Sequence, residues 1–304
     1  MLRNFLAVCI CLTFAVSSAA VAGAAAAEAV SLTAAQIVDK NVAARGGLQA
    51  WRAIQTLSFQ GKLGVGGNQR ATLSVPMPDQ QAVGQFLPRR PAEEARLPFL
   101  MELKRGRKER FELQFNGKTA VQVYDGTNGW KLRPFLNRME VESYTAEELK
   151  SASMQADLDG PLVDYVAKGS HIELDSLEKV QGRDTYKLKL TLKSGQALHV
   201  WVDAETFLES KIDGQPRRMD GTEHPVEVYF RDYRQVNGLV IPFVFETKVL
   251  PVAKTATGFN DTPVPVEKIA LDNVVVNPKL DDSLFVKPTV AAAGNPAHPL
   301  HLSN

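Results

Sequence analysis

Five cationic side chains lie in one short stretch of this sequence, around Gly106. They are Lys104, Arg105, Arg107, Lys108 and Arg110. An apolar segment precedes the stretch, and Phe111 follows it. Two interpretations fit this pattern. One is a solvated hairpin turn with the glycine at its tip, and the other is a docking patch for anionic lipid or for an acidic protein surface.

Other reactive residue types are sparse, and their spacing matches no catalytic or metal-binding motif. Both cysteines, Cys9 and Cys11, precede residue 12, so the rest of the chain has no disulfide, thiolate ligand or cysteine nucleophile. No GxSxG, phosphate-binding glycine loop or dinucleotide fingerprint occurs. The histidines form no HxH or HxxxH pair; they are His171, His199, His224, His298 and His301. We therefore expect no catalytic residues, no metal and no cofactor.

The composition is that of an ordinary globular chain, with 304 residues of which 44% are hydrophobic and 23% charged. The 35 basic and 34 acidic residues leave a formal net charge of +1. Such a balance provides none of the strong positive field that general nucleic-acid binding requires. We expect one or two domains and no nucleic-acid partner.

The first 27 residues have the organisation of a secretory signal peptide, with Arg3, an apolar run over 5–16, and then small residues. The run is shorter than the ~20 apolar residues that a bilayer-spanning helix needs, which disfavours an uncleaved anchor. The small-x-small rule allows cleavage after Ala22 or after Ala27. Cleavage after Ala27 predicts a cysteine-free mature chain, exported to the periplasm.

From Thr56 onward the hydrophobic period is 2 for most of the chain, which predicts half-buried antiparallel strands. The clearest alternation of apolar and polar residues covers 186–192 and 198–202. Turn pairs such as Asn116-Gly117 and Asn237-Gly238 separate the predicted strands.

Helical patterns occur in two places. Residues 28–55 predict a pair of short helices, the first opened by a capping box at 33–36. Residues 145–168 interrupt the strands with a second capping box at their start, and Gly160-Pro161 divides them into two predicted amphipathic helices.

Roughly ten to eleven strands would each present an apolar face, and the few short helices cannot cover them all. We therefore predict a mainly β (α+β) fold: an incomplete antiparallel β-barrel over 56–288 that encloses an apolar cavity, with 145–168 as a helical lid. Residues 289–304, rich in Pro and Ala, are expected to be a disordered tail. A two-sheet sandwich without a cavity is the alternative. A transmembrane barrel is disfavoured because Pro242 interrupts an interior strand.

Three short motifs follow one another along the chain: Arg-Lys-Glu-Arg-Phe-Glu at 107–112, Tyr-Asp-Gly-Thr-Asn-Gly-Trp at 124–130 and Arg-Pro-Phe at 133–135, ahead of the helical insert. This order resembles that of the periplasmic lipoprotein carriers of the LolA and LolB type. The strand pair within 184–206 and Leu-Phe-Val-Lys-Pro at 284–288 resemble the same family. The resemblance implies an incomplete barrel closed by helices, whose cavity takes acyl chains of lipoproteins or lipids. It also implies a protein that is not an enzyme.

The resemblance also implies roles for individual residues. In this family an arginine just before the first motif's phenylalanine bonds to the lid and holds it shut. By spacing, Arg107 is the nearest match to this latch and Arg105 the second. The apolar side chains expected to line the cavity are Phe59, Leu63, Phe111, Leu113, Phe115, Trp130, Phe135, Leu149, Met154, Leu162, Val166, Leu188 and Leu190.

Three functions remain open at this point. We favour a monomeric periplasmic carrier that binds acyl chains of lipoproteins or lipids and meets partner proteins at the inner or outer membrane. An envelope-stress or regulatory binding module on the same fold is the first alternative. A hydrolase whose catalytic groups come from separate strands is the second.

Overall fold

A computed structural model of the chain describes residues 32–66, 94–134, 138–219, 221–252 and 266–290. The predicted signal peptide, Phe135 and the predicted tail beyond Val290 lie outside these ranges.

Three α-helices lie within the described residues, at Ala34–Ala44 (α1), Leu48–Ala53 (α2) and Ala146–Gln155 (α3). The two predicted capping boxes are confirmed, because Thr33 and Thr145 each accept a hydrogen bond from the backbone N–H three residues on, at 3.2 Å. None of these helices is long and apolar enough to cross a membrane.

Fifteen strands are present within the described residues. They are β1 (Thr56–Gly66), β2 (Glu94–Lys104), β3 (Lys108–Phe115), β4 (Lys118–Tyr124), β5 (Gly129–Arg133), β6 (Arg138–Ser143), β7 (His171–Val180), β8 (Arg183–Thr191), β9 (Ala197–Asp203), β10 (Glu209–Asp213), β11 (Arg217–Met219), β12 (Thr222–His224), β13 (Val226–Val236), β14 (Leu239–Val249) and β15 (Glu267–Val276).

Thirteen of the strands form one antiparallel sheet in the order β6-β5-β4-β3-β2-β1-β15-β14-β13-β10-β9-β8-β7, and β11 and β12 form a separate hairpin. The sheet does not close, so the predicted mainly β open barrel is confirmed and the two-sheet sandwich is wrong. The sheet is wider than the ten or eleven strands expected, because a short strand such as β10 carries little alternation in the sequence.

The insert between β6 and β7 connects the two open edges of the sheet. The chain must therefore cross the gap between those edges within the insert. The second helix predicted there is wrong, since residues 157–170 form turns and bends. Gly160 and Asp164 adopt φ of 75° and 53°, and a left-handed residue ends an α-helix.

The two faces of the sheet are covered by different segments. On the inner face, Tyr124 packs against Ala152 and Ala156 of the insert. On the outer face, a 3-10 turn at Asp282–Phe285 places Phe285 against a buried cluster that includes Val123. Because neighbouring strand residues point to opposite faces, Val123 and Tyr124 distinguish the outer face from the inner one.

Candidate functional site

An apolar strip runs along the inner face of the central strands. Strand register places Phe59, Met101 and Phe111 side by side across β1, β2 and β3. Phe111 stacks on Phe99 with ring centroids 5.6 Å apart. The apolar side chains of this strip that remain partly exposed are Leu63, Leu97, Met101, Phe111, Phe230, Phe245 and Ile269. The strip therefore offers apolar surface to a ligand, while α3 packs on β4 and β5 and α1 on β7.

The N-terminal helices close one end of the inner face. Ile37 and Val38 of α1 are almost fully buried, as is Trp51 of α2. Between the helices, Gly46 has a φ of 109°, and a Cβ there would lie 2.3 Å from the carbonyl oxygen of Gly238 at the tip of the β13–β14 hairpin. Glycine is required at position 46 because two backbones meet there.

Arg105 joins the N-terminal helices to the insert. Its guanidinium donates to both carboxylate oxygens of Asp159, at 2.7 and 2.8 Å. The same group donates to the carbonyl oxygens of Trp51 and Ile54, each at 2.6 Å. These hydrogen bonds to Asp159 raise the pKa of Arg105. One side chain thus fixes the end of α2 and the turn after α3 to the same point.

A second arginine holds the same turn from the other side. Arg45 donates to the carbonyl oxygen of Asp159 at 3.2 Å and to Glu209 Oε1 at 3.1 Å, and its guanidinium lies 4.3 Å from the centre of the Trp51 ring. Tyr233 donates its hydroxyl to the carbonyl oxygen of Glu209 at 2.9 Å. Burial raises the pKa of Tyr233 well above its usual value. The turn after α3 is therefore tied to the sheet through a buried network.

A cavity of about 240 Å³ lies between the insert and the β8–β9 turn. Its apolar wall combines Met154 and Pro161 of the insert with Leu198 and Ile212 of the sheet. Its polar and charged lining residues are Arg107, Lys150, Ser153, Asp157, Lys168, Ser170, Lys193, Ser194, Gln196 and Asp213. The cavity therefore has an apolar wall beside a group of polar and charged side chains, in which cations outnumber carboxylates.

A buried carboxyl group lies on the inner face beside α3. Glu109 of β3 pairs with Tyr124 of β4, against which α3 packs. Within the described residues, its Oε2 atom is buried and has no hydrogen-bond partner. Burial raises the pKa of Glu109 to about 7. The charged form is therefore disfavoured at this position.

One histidine has a close carboxylate partner near the cavity. Nδ1 of His199 lies 2.7 Å from Oδ2 of Asp213, and the same oxygen accepts the backbone N–H of His199 at 2.8 Å. In the described part of the chain, the side-chain partner of this histidine is Asp213 and not a serine or threonine hydroxyl, and no group of three or more metal-ligating side chains is arranged to hold an ion. The pair joins β9 to the end of β10.

The residues expected to line a cavity fall into several environments. Phe59, Leu63, Phe111, Leu113, Leu188 and Leu190 share the inner face, and Met154 lines the cavity. Leu149 packs beside Tyr124, and Leu162 is fully buried. Phe115 is 37% exposed at the end of β3, and Val166 is 70% exposed on the insert. Phe135 lies outside the described residues.

Trp130 does not join the inner-face residues. It pairs with Val123 across β4 and β5 and packs in the outer cluster with Phe285. The neighbouring residue, Lys131, points to the inner face instead and forms an ion pair with Glu148 of α3 at 2.5 Å. A one-residue offset moves a strand side chain to the other face of the sheet.

The basic cluster divides between the two faces of the β2–β3 hairpin. On the outer face, Lys104 and Lys108 lie 3.1 and 2.8 Å from Asp282, and Arg110 donates to the carbonyl oxygen of Leu284 at 3.0 Å. These three cations therefore hold the C-terminal segment and are not an open docking patch. Arg105 and Arg107 of the same cluster reach the insert.

Of the two latch candidates, Arg105 makes the stronger contacts with the insert. Arg107 is exposed and donates only a long bond, at 3.4 Å, to the carbonyl oxygen of Ser153. Motif spacing ranked Arg107 ahead of Arg105 as the latch, and the observed hydrogen bonds reverse that order. The sequence analysis did not identify the carboxylates of Asp159 and Glu209 or the buried carboxyl of Glu109. No spacing pattern in the sequence marks any of the three.

One solved structure has a similar fold over most of this chain. The chain is similar to a LolA superfamily protein from Nitrosomonas europaea, with a TM-score of 0.50 and 13% identity over 84% of this chain and 99% of that chain. A DUF1329 family protein from Desulfovibrio piger matches with a TM-score of 0.49 and 16% identity over 82% of this chain and 95% of that one. No protein-family model and no curated protein matches the sequence. The likeness confirms the predicted resemblance at the level of the fold, which is LolA-like.

Proposed function

Starting from the LolA-like fold, we propose that this protein is a periplasmic carrier that binds the acyl chains of lipoproteins or lipids along its inner face. The observation that carries the proposal is the strip of partly exposed apolar side chains on the central strands, which includes Phe111, Phe230 and Phe245. Contiguous apolar surface inside an open sheet provides a binding site for a hydrophobic ligand.

The insert acts as the lid of this carrier. It crosses the gap between the two open edges of the sheet, and its turn is held by Arg105 and Arg45 through Asp159. Hydrogen bonds between charged groups bias the closed state while leaving it able to open. Ligand enters when these bonds break.

The proposal extends to location and partners. Export through the signal peptide over 1–27 places the protein in the periplasm, where a monomeric carrier meets inner- or outer-membrane proteins. It is a binding protein and not an enzyme: the ion pairs Arg105–Asp159 and Lys168–Asp157 hold the insert in place.

Crosslinking the lid tests this function. Ser153 of α3 and Ser194 of the β8–β9 turn line the same cavity from opposite sides. With both replaced by cysteine, a flexible bis-maleimide reagent that joins them is expected to abolish uptake of an apolar fluorophore, measured by its fluorescence gain. Reagent-treated Ser153→Cys and Ser194→Cys single variants are the matched controls and should bind as wild type does. Unchanged uptake by the crosslinked protein would exclude a lid that must open.

A further inference from the structure

The cavity between the insert and the β8–β9 turn carries an excess of positive charge. Four cationic side chains and two carboxylates line it. Lys168 is already engaged, since its Nζ atom donates to both oxygens of Asp157 at 2.8 and 2.9 Å. Asp213 is held by His199. Both carboxylates of the lining therefore already have a partner.

The three remaining cations are Arg107, Lys150 and Lys193, and none of them forms an ion pair with another described residue. Arg107 comes from the β2–β3 hairpin, Lys150 from α3 and Lys193 from the β8–β9 turn. Three separate segments thus place exposed cations without ion-pair partners at the lining of one cavity. Clustered like charges repel one another, and a bound anion would relieve that repulsion.

One further feature links the cavity to the apolar strip. The apolar wall of the cavity leads toward the inner face, because Ile212 shares that face with Val200 of β9 and Val228 of β13. An acyl chain on the apolar strip could therefore continue into a cationic compartment.

We infer that this cavity binds the anionic headgroup, a carboxylate or phosphate, of the amphiphile whose acyl chain occupies the inner face. The inference rests on the proposed carrier function and adds the class of ligand: acidic amphiphiles over uncharged ones. The acyl chain supplies most of the affinity, and the three cations supply discrimination by charge.

The test compares two ligands of equal chain length, laurate and dodecanol, by displacement of an apolar fluorophore at low salt. In the Lys150→Gln/Lys193→Gln double variant, laurate is expected to bind roughly tenfold more weakly while dodecanol binding is unchanged. The matched control is Lys62→Gln/Lys179→Gln, which removes two exposed lysines that do not line the cavity. It should leave both ligands unaffected.

The outcomes distinguish a failure of this inference from a failure of the proposed carrier function. Equal loss of laurate and dodecanol affinity in the cavity variant, or no loss of either, would overturn the headgroup site while leaving the carrier function standing. Failure of wild type to bind either ligand would overturn the function itself. Inorganic phosphate is the third arm: if millimolar phosphate binds the cavity with no effect on laurate, the site takes a free anion and the lipid headgroup is wrong.

Discussion

Replacement of Arg105 by leucine is expected to lower the free energy of unfolding by about 3 kcal/mol and to open the insert. The substitution leaves the Asp159 carboxylate, whose side chain is 6% exposed, without its bidentate partner. Loss of one member of a buried ion pair costs roughly 3–5 kcal/mol, and the lower end applies because the Arg105 side chain is 32% exposed. Chemical denaturation measures the first effect, and faster fluorophore uptake measures the second.

Two further variants test whether the effect is specific to the guanidinium of Arg105. Arg107→Leu lies two residues away and removes one long hydrogen bond from an exposed side chain, so it should change stability by no more than ~0.5 kcal/mol. Arg105→Lys keeps the charge but lacks the planar fork that reaches Asp159, Trp51 and Ile54 together, and it should give an intermediate loss. Equal losses in Arg105→Leu and Arg107→Leu would remove Arg105 from its role as the latch.

Replacement of Glu109 by glutamine is expected to stabilise the protein at pH 8 and to have little effect near pH 4.5. Because burial raises the pKa of Glu109 to about 7 in the folded state, the folded protein holds this proton over a range where the unfolded chain has released it. Stability is therefore lost as the pH rises from the ordinary carboxyl value toward 7. At high pH this shift lowers the free energy of unfolding by an amount on the order of 3 kcal/mol. Glutamine avoids the loss because its amide does not ionise.

The measurement is the free energy of unfolding of wild type and Glu109→Gln across this pH range. Glu147→Gln is the matched control, since Glu147 is an exposed carboxyl on the first turn of α3. The difference from wild type should grow with pH for Glu109→Gln and stay flat for Glu147→Gln. A pH-independent difference at position 109 would mean that the carboxyl is not titrating from a buried site.

Local patterns in the sequence predicted most of the sheet. Alternation over 186–192 and 198–202 corresponds to β8 and β9, and the capping boxes mark the starts of α1 and α3. Such signals are local because side-chain periodicity and capping involve residues within one element. The second lid helix failed as a prediction because Asp164, inside the predicted helix, has a left-handed backbone that interrupts it.

The site was less predictable because its contacts join distant parts of the chain. Arg105 and Asp159 are 54 positions apart, and Arg45 and Glu209 are 164 apart. Which residues become neighbours depends on the order of thirteen strands, which no single segment encodes. The prediction that Trp130 lines the cavity is wrong, because alternation groups residues by face without saying which face is the inner one.

Native mass spectrometry of the mature protein, purified from the periplasm without detergent, tests the carrier function most directly. We predict a population heavier than the polypeptide by the mass of an acyl-chain ligand, which collisional activation removes. A separate sample from which the ligand has been removed in solution should take up an apolar fluorophore. A single species at the polypeptide mass that also fails to bind the fluorophore would contradict the account, because the apolar strip on the inner face would then have no ligand to bind.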